Sequence, residues 1–169
     1  EAWSAADKGV ELDDLDAEVH WLLGELNMMQ RRYDRTEAEY RRAMELNPSL
    51  ADVRANWGST ANRLGTADEG VASLELAMRL NPNSPVWYGW FYGAALYGAG
   101  RFEEAAAVLH AAMAHTVVSR LYLAASLYRI GSPEAAGSEI ASAREEVPGI
   151  SVAMLEHIEA YRDPGDQAR

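Results

Sequence analysis

The sequence predicts an all-α fold, an α-solenoid of antiparallel helix pairs closed by a C-terminal capping helix. Three observations lead to this prediction. The 169-residue chain repeats itself at an interval of 34 residues from Gly24 to Gly58 and of 35 residues from Gly58 to Gly93. Each repeat contains two apolar-periodic segments of helical length. Gly65, Gly100 and Gly131 stand where a first helix must end, and Asn-Pro at 47–48 and 81–82 ends a second helix. Such a period indicates stacked helical units that share one core.

The chain divides into ten segments with a helical period. They are 2–12, 16–30, 34–46, 50–64, 68–80, 84–99, 102–115, 117–130, 133–146 and 150–161. We assign residues 1–14 to the second helix of a truncated preceding repeat, 15–149 to four repeats, and 150–169 to a capping helix and tail. Because Glu1 would then cut through a repeat, Trp3 and Val10 lack their natural neighbour. We therefore expect weak self-association through this end.

The repeats resemble the tetratricopeptide (TPR) family. The matching residues are Leu23-Gly24, Tyr40, Ala43 and Pro48, then Trp57-Gly58, Leu74, Ala77 and Pro82, then Tyr92-Gly93, Ala105, Leu109 and Ala112, and finally Leu123-Ala124, Ala136, Ile140, Ala143 and Pro148. The Trp that opens the family pattern is absent, and His20, Arg54, Gly89 and Arg120 stand there. Small residues in the first helices are expected to let the paired helix approach closely. We expect the loop before the fourth repeat to be shorter by about three residues than the loops before it.

The composition bears on which partners and which cellular compartment to expect. The net charge of −11 argues against nucleic acid as a partner, because nucleic-acid binding usually needs a basic surface. The chain has no cysteine, which fits a reducing cytoplasm. No apolar run approaches the roughly 18 residues of a membrane span, and no signal peptide is visible. We expect a cytoplasmic protein and leave a periplasmic one open. Arginine is used almost exclusively over lysine, which suggests a bacterial genome rich in G and C.

The resemblance to TPR proteins implies a concave groove lined by the first helix of each repeat. It assigns to a partner-binding groove the residues Trp21, Met28, Asn62, Arg63, Trp87, Trp90, Tyr97, Tyr128 and Arg129. Trp and Tyr are typical interface anchors, so we expect an extended or helical peptide with apolar side chains as the partner. Two alternatives stay open: the aromatic residues pack internally, or the C-terminal helix occupies the groove. The family's carboxylate clamp for chaperone C-termini is matched only at Asn56, so such a partner is not expected.

No catalytic, cofactor or metal site is predicted, and we expect this chain not to be an enzyme in its own right. The histidines at 20, 110, 115 and 157 lack the spacing of a zinc-binding helix. No phosphate-binding loop and no nucleophile motif is present. Arg31, Arg32, Arg35, Arg41 and Arg42 form a basic cluster. This cluster is either a docking site for an acidic partner or a set of local ion pairs such as Glu37 with Arg41.

The C-terminal half carries a narrower resemblance. Its motifs are Trp87-Tyr88, Gly93-Ala94-Ala95-Leu96-Tyr97, Gly100-Arg101-Phe102-Glu103-Glu104-Ala105, Leu123-Ala124-Ala125 and Tyr161-Arg162-Asp163-Pro164. They are similar to C-terminal TPR regions of bacterial class III adenylate/guanylate cyclase-like proteins. The resemblance implies a regulatory or assembly module of a larger protein whose catalytic domain lies upstream. A free-standing periplasmic or outer-membrane assembly adaptor is the alternative.

Overall fold

The fold is an array of helix pairs. The computed structural model describes residues 14–112 and 116–150, together with Lys8, and this part contains eight α-helices and no β-strand. The helices are α1 Ala17–Met29, α2 Tyr33–Leu46, α3 Ala51–Arg63, α4 Ala67–Leu80, α5 Val86–Gly98, α6 Phe102–Ala111, α7 Val117–Arg129 and α8 Pro133–Glu146. Each odd-numbered helix packs against the one that follows, and α5 packs against both α3 and α7. The predicted all-α solenoid is confirmed.

Both predicted terminal helices, 2–12 and 150–161, fall outside the described residues except for Lys8 and Ile150. The expected self-association through Trp3 and Val10 and the capping role of residues 150–169 therefore stay predictions. The same holds for the division of the chain at residues 14 and 149.

The turns inside the helix pairs explain where the first helix of each pair ends. Gly65, Gly100 and Gly131 follow α3, α5 and α7 with φ of 81°, 76° and 81°. Glycine adopts this left-handed backbone without the steric penalty that a Cβ brings. The predicted helix ends are confirmed at these three positions. The turn after α1 has the same backbone, but Arg31 occupies it with φ of 56°.

Two helices of a pair approach closely because a glycine of the first faces a large side chain of the second. A Cβ built on Gly58 would lie 2.4 Å from Leu74 Cγ, and one built on Gly93 would lie 2.3 Å from Leu109 Cγ. Leu74 and Leu109 are fully buried. Interiors at native packing density cannot absorb such an overlap without movement. These contacts confirm the predicted role of the small residues.

Neighbouring pairs are joined by two tyrosines of α5 as well as by apolar contact. The Tyr88 hydroxyl donates a hydrogen bond of 2.5 Å to Asp52 Oδ1 of α3, and Tyr92 donates one of 3.0 Å to Glu75 Oε1 of α4. Burial, followed by the bonded carboxylate, raises the pKa of both phenols above the ordinary value. The hydroxyls therefore stay protonated and keep donating at neutral pH.

The shortening before the last helix pair lies in a helix and not in a loop, so this sequence expectation was wrong. Helix α6 has 10 residues and ends at Ala111, whereas α2, α4 and α8 have 14. Five residues, 112–116, separate α6 from α7 in the sequence, and five, 81–85, separate α4 from α5. The missing residues are lost from the end of α6, so Ala105 and Leu109 before that end keep their buried positions.

Candidate binding groove

A groove runs between the first helices α3, α5 and α7, which lie side by side. Its hollow has a volume of about 190 Å³. It is lined by Ser59, Asn62, Arg63, Trp90, Phe91, Ala94, Thr116, Val118, Ser119 and Tyr122, and we call this surface the first-helix groove. Three separate helices contribute to it because each pair presents the same face of its first helix.

Three aromatic side chains line the first-helix groove among polar and small residues. Trp90, Phe91 and Tyr122 are half-buried, so part of each ring is available for contact. Rings held this way offer large apolar area at little cost in side-chain entropy. At the edge of the groove Thr116 caps α7 and its backbone N–H donates to Ser119 Oγ at 2.8 Å, which fixes the start of that helix. The groove is therefore formed before any partner arrives.

Asn62 forms the wall between this groove and a second hollow. Its side chain is 4% exposed, and its Oδ1 has no hydrogen-bond partner within the described residues. The amide lies against the backbone of Gly98, because a Cβ built on Gly98 would come within 1.8 Å of Asn62 Oδ1. Glycine at position 98 thus makes room for Asn62.

The second hollow, of about 330 Å³, lies where the α3–α4 and α5–α6 turns meet the end of α7. Arg129 holds its guanidinium carbon 4.2 Å from the centroid of the Phe102 ring and hydrogen-bonds the Tyr97 hydroxyl. Burial raises the pKa of Tyr97, and Arg129 partly offsets that rise. Asp68 lines the same hollow, so charges of both signs border it.

The structure separates the nine predicted groove residues into two groups. Asn62, Arg63 and Trp90 line the first-helix groove, and Tyr97 and Arg129 line the second hollow beside Asn62. The remaining four, Trp21, Met28, Trp87 and Tyr128, line neither hollow. A partner-binding role remains a prediction for all nine.

The four residues outside the hollows have different environments. Trp87 packs edge-on against Tyr88 at 4.4 Å and Phe91 at 5.2 Å between ring centroids, beside the central core cluster. Trp21 packs against the core cluster that α2 and α3 share, and Met28 is only 6% exposed. Tyr128 is 68% exposed. Internal packing, the alternative left open for the aromatic residues, describes Trp21 and Trp87.

Sequence reasoning missed Phe91 and Tyr122 as groove residues. Phe91 stands one position after Trp90, and Tyr122 stands one position after Leu121, the residue of α7 that corresponds to Trp90 in the repeat. The apolar stripe of a helix spans about 100° or more, which includes one neighbour of each assigned position. A wider arc on each first helix would have found both rings.

The part of the chain that the structure describes contains no group of three His, Cys, Asp or Glu side chains able to hold a metal ion. It also contains no helix with the length and apolarity needed to cross a membrane. The first-helix groove offers aromatic ring faces for apolar contact and polar side chains that can form hydrogen bonds.

Comparison with known proteins supports the fold. No family model and no curated protein sequence matches the chain. Among solved structures it is similar to PilW, described as a widely conserved type IV pilus biogenesis factor, with a TM-score of 0.79 and 18% identity over 98% of this chain and 79% of PilW. It is also similar to two proteins described as TPR proteins. TTC0263 of Thermus thermophilus matches with a TM-score of 0.70 and 17% identity over 93% of this chain and 87% of its own. YrrB matches with a TM-score of 0.66 and 18% identity over 92% of this chain and 77% of YrrB. The chain has the TPR fold.

Proposed function

We propose that this chain is a protein-interaction module that binds a peptide with apolar side chains in the first-helix groove. The observation that carries the proposal is the preformed aromatic hollow between three successive first helices, with Trp90, Phe91 and Tyr122 partly exposed in it. Aromatic residues in a well-packed hollow are the usual anchors of peptide binding. YrrB, which shares the fold, is described as having an unusual peptide-binding site, and this supports the proposal.

Two tryptophans of α5 provide the test. Peptides selected on the folded protein from a random phage-displayed library are the probe, and their affinity is measured by fluorescence anisotropy. Trp90→Ala should weaken binding by about 30-fold, the effect of an interface anchor worth about 2 kcal/mol, while the helical circular dichroism is kept. Trp87→Ala is the matched comparison in the same helix, because Trp87 lines neither hollow and packs on Tyr88 and Phe91. It should lower the melting temperature and weaken binding less than Trp90→Ala does.

Failure to enrich any peptide, or equal affinity of Trp90→Ala and the unchanged protein, would refute the proposal. If the Trp90→Ala protein instead loses helicity, Trp90 belongs to the core, which is the alternative of internal packing.

We further propose that the module regulates or assembles a catalytic domain of a larger bacterial protein. The support is the resemblance of short motifs, such as Tyr161-Arg162-Asp163-Pro164, to those in C-terminal regions of bacterial class III cyclase-like proteins. The test is cyclic-nucleotide synthesis by the full-length protein with and without residues 14–150. Equal synthesis with and without these residues would refute the regulatory role, and a full-length protein without any cyclic-nucleotide synthesis would favour a free-standing assembly adaptor.

A further inference from the structure

The turn between α1 and α2 differs in charge from the equivalent turns of the other three helix pairs. The aligned segments are Arg31-Arg32-Tyr33-Asp34-Arg35, Gly65-Thr66-Ala67-Asp68-Glu69, Gly100-Arg101-Phe102-Glu103-Glu104 and Gly131-Ser132-Pro133-Glu134-Ala135. The fourth position is acidic in all of them. Only the first segment has arginine at the first and fifth positions, and these two residues act against local stability.

Arg31 acts against it through the backbone. Its φ of 56° lies in the left-handed region, where the other three turns have glycine. A side chain at such a position brings Cβ too close to the following carbonyl oxygen, and glycine avoids this contact. The backbone geometry of the turn therefore favours glycine and not arginine at position 31.

Arg35 acts against local stability through the helix dipole. It is the third residue of α2, whose N-terminal end carries partial positive charge. In α4 and α6 the same place is taken by Glu69 and Glu104, which the dipole favours. Arg31 and Arg35 thus go against two local preferences in one turn, for glycine at a left-handed position and for an acidic residue at a helix N-terminus. Residues that are unfavourable for the fold in this way are expected at functional sites.

Arg31 and Arg35 are also not used in ion pairs, unlike other members of the basic cluster. Arg41 pairs with Glu37 at 3.0 Å and with Glu69 at 3.1 Å, and Arg42 pairs with Glu45 at 3.6 Å. By contrast, the side chains of Arg31 and Arg35 are exposed and have no ion pair or hydrogen bond within residues 14–112 and 116–150. Together with the three residues between them they line a surface hollow of about 470 Å³.

We propose that this turn, residues 31–35, is a docking surface for an acidic segment of a partner protein. Guanidinium groups bind carboxylates in a planar, two-point geometry. A nucleic acid or an anionic membrane carries many negative charges over a long distance, and the net charge of −11 repels those that lie beyond the two arginines. A short acidic segment is repelled as well, but it carries few charges, and salt screens the charges of the chain that lie more than about 8 Å from it. None of these five residues lines the first-helix groove, so the surface is separate from it.

The test is a double variant that gives this turn the residues of its counterparts. R31G/R35E should weaken binding of a labelled peptide made only of Asp and Glu by about tenfold or more, since it removes one contact and makes another repulsive. It should also raise the melting temperature, because glycine suits the left-handed backbone at position 31 and glutamate suits the N-terminal end of α2. The control is R79A/R144E, at exposed arginines in the last turns of α4 and α8. It likewise removes one positive charge and reverses another, and it should leave binding unchanged.

Three results would overturn the proposal. The first is that the unchanged protein does not bind the acidic peptide. The second is that the two double variants bind it equally, and the third is that R31G/R35E melts at a lower temperature than the unchanged protein. Phosphatidylglycerol vesicles and single-stranded RNA are measured in parallel. If either binds more tightly than the peptide with the same dependence on Arg31 and Arg35, the partner is not an acidic protein segment.

Discussion

Two glycines in helix α5 allow the close packing of the helix pairs to be measured with an internal reference. At Gly93 an added Cβ would lie 2.3 Å from Leu109 Cγ and 2.5 Å from Leu109 Cδ2, whereas at Gly89 it would meet nothing within 4 Å. Both substitutions to alanine gain helix propensity of about 0.8–1.0 kcal/mol. That gain cancels in the comparison, so the difference between the two variants reports the overlap with Leu109 alone.

Overpacking of this kind costs about 1–3 kcal/mol. Gly89→Ala should therefore stabilise the protein by about 1 kcal/mol, and Gly93→Ala should fall about 1–3 kcal/mol below it. Urea unfolding followed by far-ultraviolet circular dichroism measures both, provided that the slopes of the transitions agree. If Gly93→Ala proves as stable as Gly89→Ala, then Leu109 or α6 moves aside freely and the close approach does not hold the pair together.

Other consequences of the packing can be tested in the same way. Burial and the neighbouring Glu25 carboxylate raise the pKa of Tyr40 well above its ordinary value. The unfolded chain ionises this phenol near pH 10 and the folded chain does not, so stability is complete below about pH 10 and falls as the pH rises above it. Tyr40→Phe should reduce that fall by up to about 1.4 kcal/mol per pH unit, measured from urea midpoints at neutral and alkaline pH. Thr116→Ala removes the cap of α7 and should cost about 1 kcal/mol in the same assay. Arg31→Gly alone should stabilise the protein by about 1 kcal/mol.

The helix pairs could be predicted from the sequence because their signals are local and repeated. Helix α1 was expected at 16–30 and spans Ala17–Met29, and α8 was expected at 133–146 and spans Pro133–Glu146. Gly131 ends one helix and Pro133 begins the next, and each acts through its own backbone preference. Such residues need no knowledge of the rest of the fold, which explains why the boundaries agree.

The missing turn of α6 could not be located from the sequence. Spacing shows that the interval from Gly100 to Gly131 is shorter than that from Gly65 to Gly100, but it does not say which segment lost residues. The structure decides the matter, because α6 ends at Ala111 and is four residues shorter than α4, while Ala105 and Leu109 before that end stay buried. A shorter loop would have had to close the same distance between helices with fewer residues.

The groove was predicted in its location but not in its details, for a similar reason. Trp87 and Trp90 are both spaced to face the groove, yet Trp87 packs on Tyr88 and Phe91 while Trp90 lines the hollow. Sequence spacing gives the direction of a Cα–Cβ bond and not the rotamer of a large ring. Only the neighbours around each ring distinguish a core tryptophan from one available to a partner.

Salt dependence distinguishes the two proposed surfaces, since they rely on different forces. Contacts to Trp90, Phe91 and Tyr122 in the first-helix groove would bury apolar area, which added salt does not screen. Contacts to Arg31 and Arg35 would be between exposed charges, which salt weakens strongly. A partner released by salt and insensitive to Trp90→Ala therefore docks at the α1–α2 turn. A partner that resists salt and is lost in Trp90→Ala occupies the groove. Partial sensitivity to both would mean one partner spanning two sites, whose linked affinities exceed either alone.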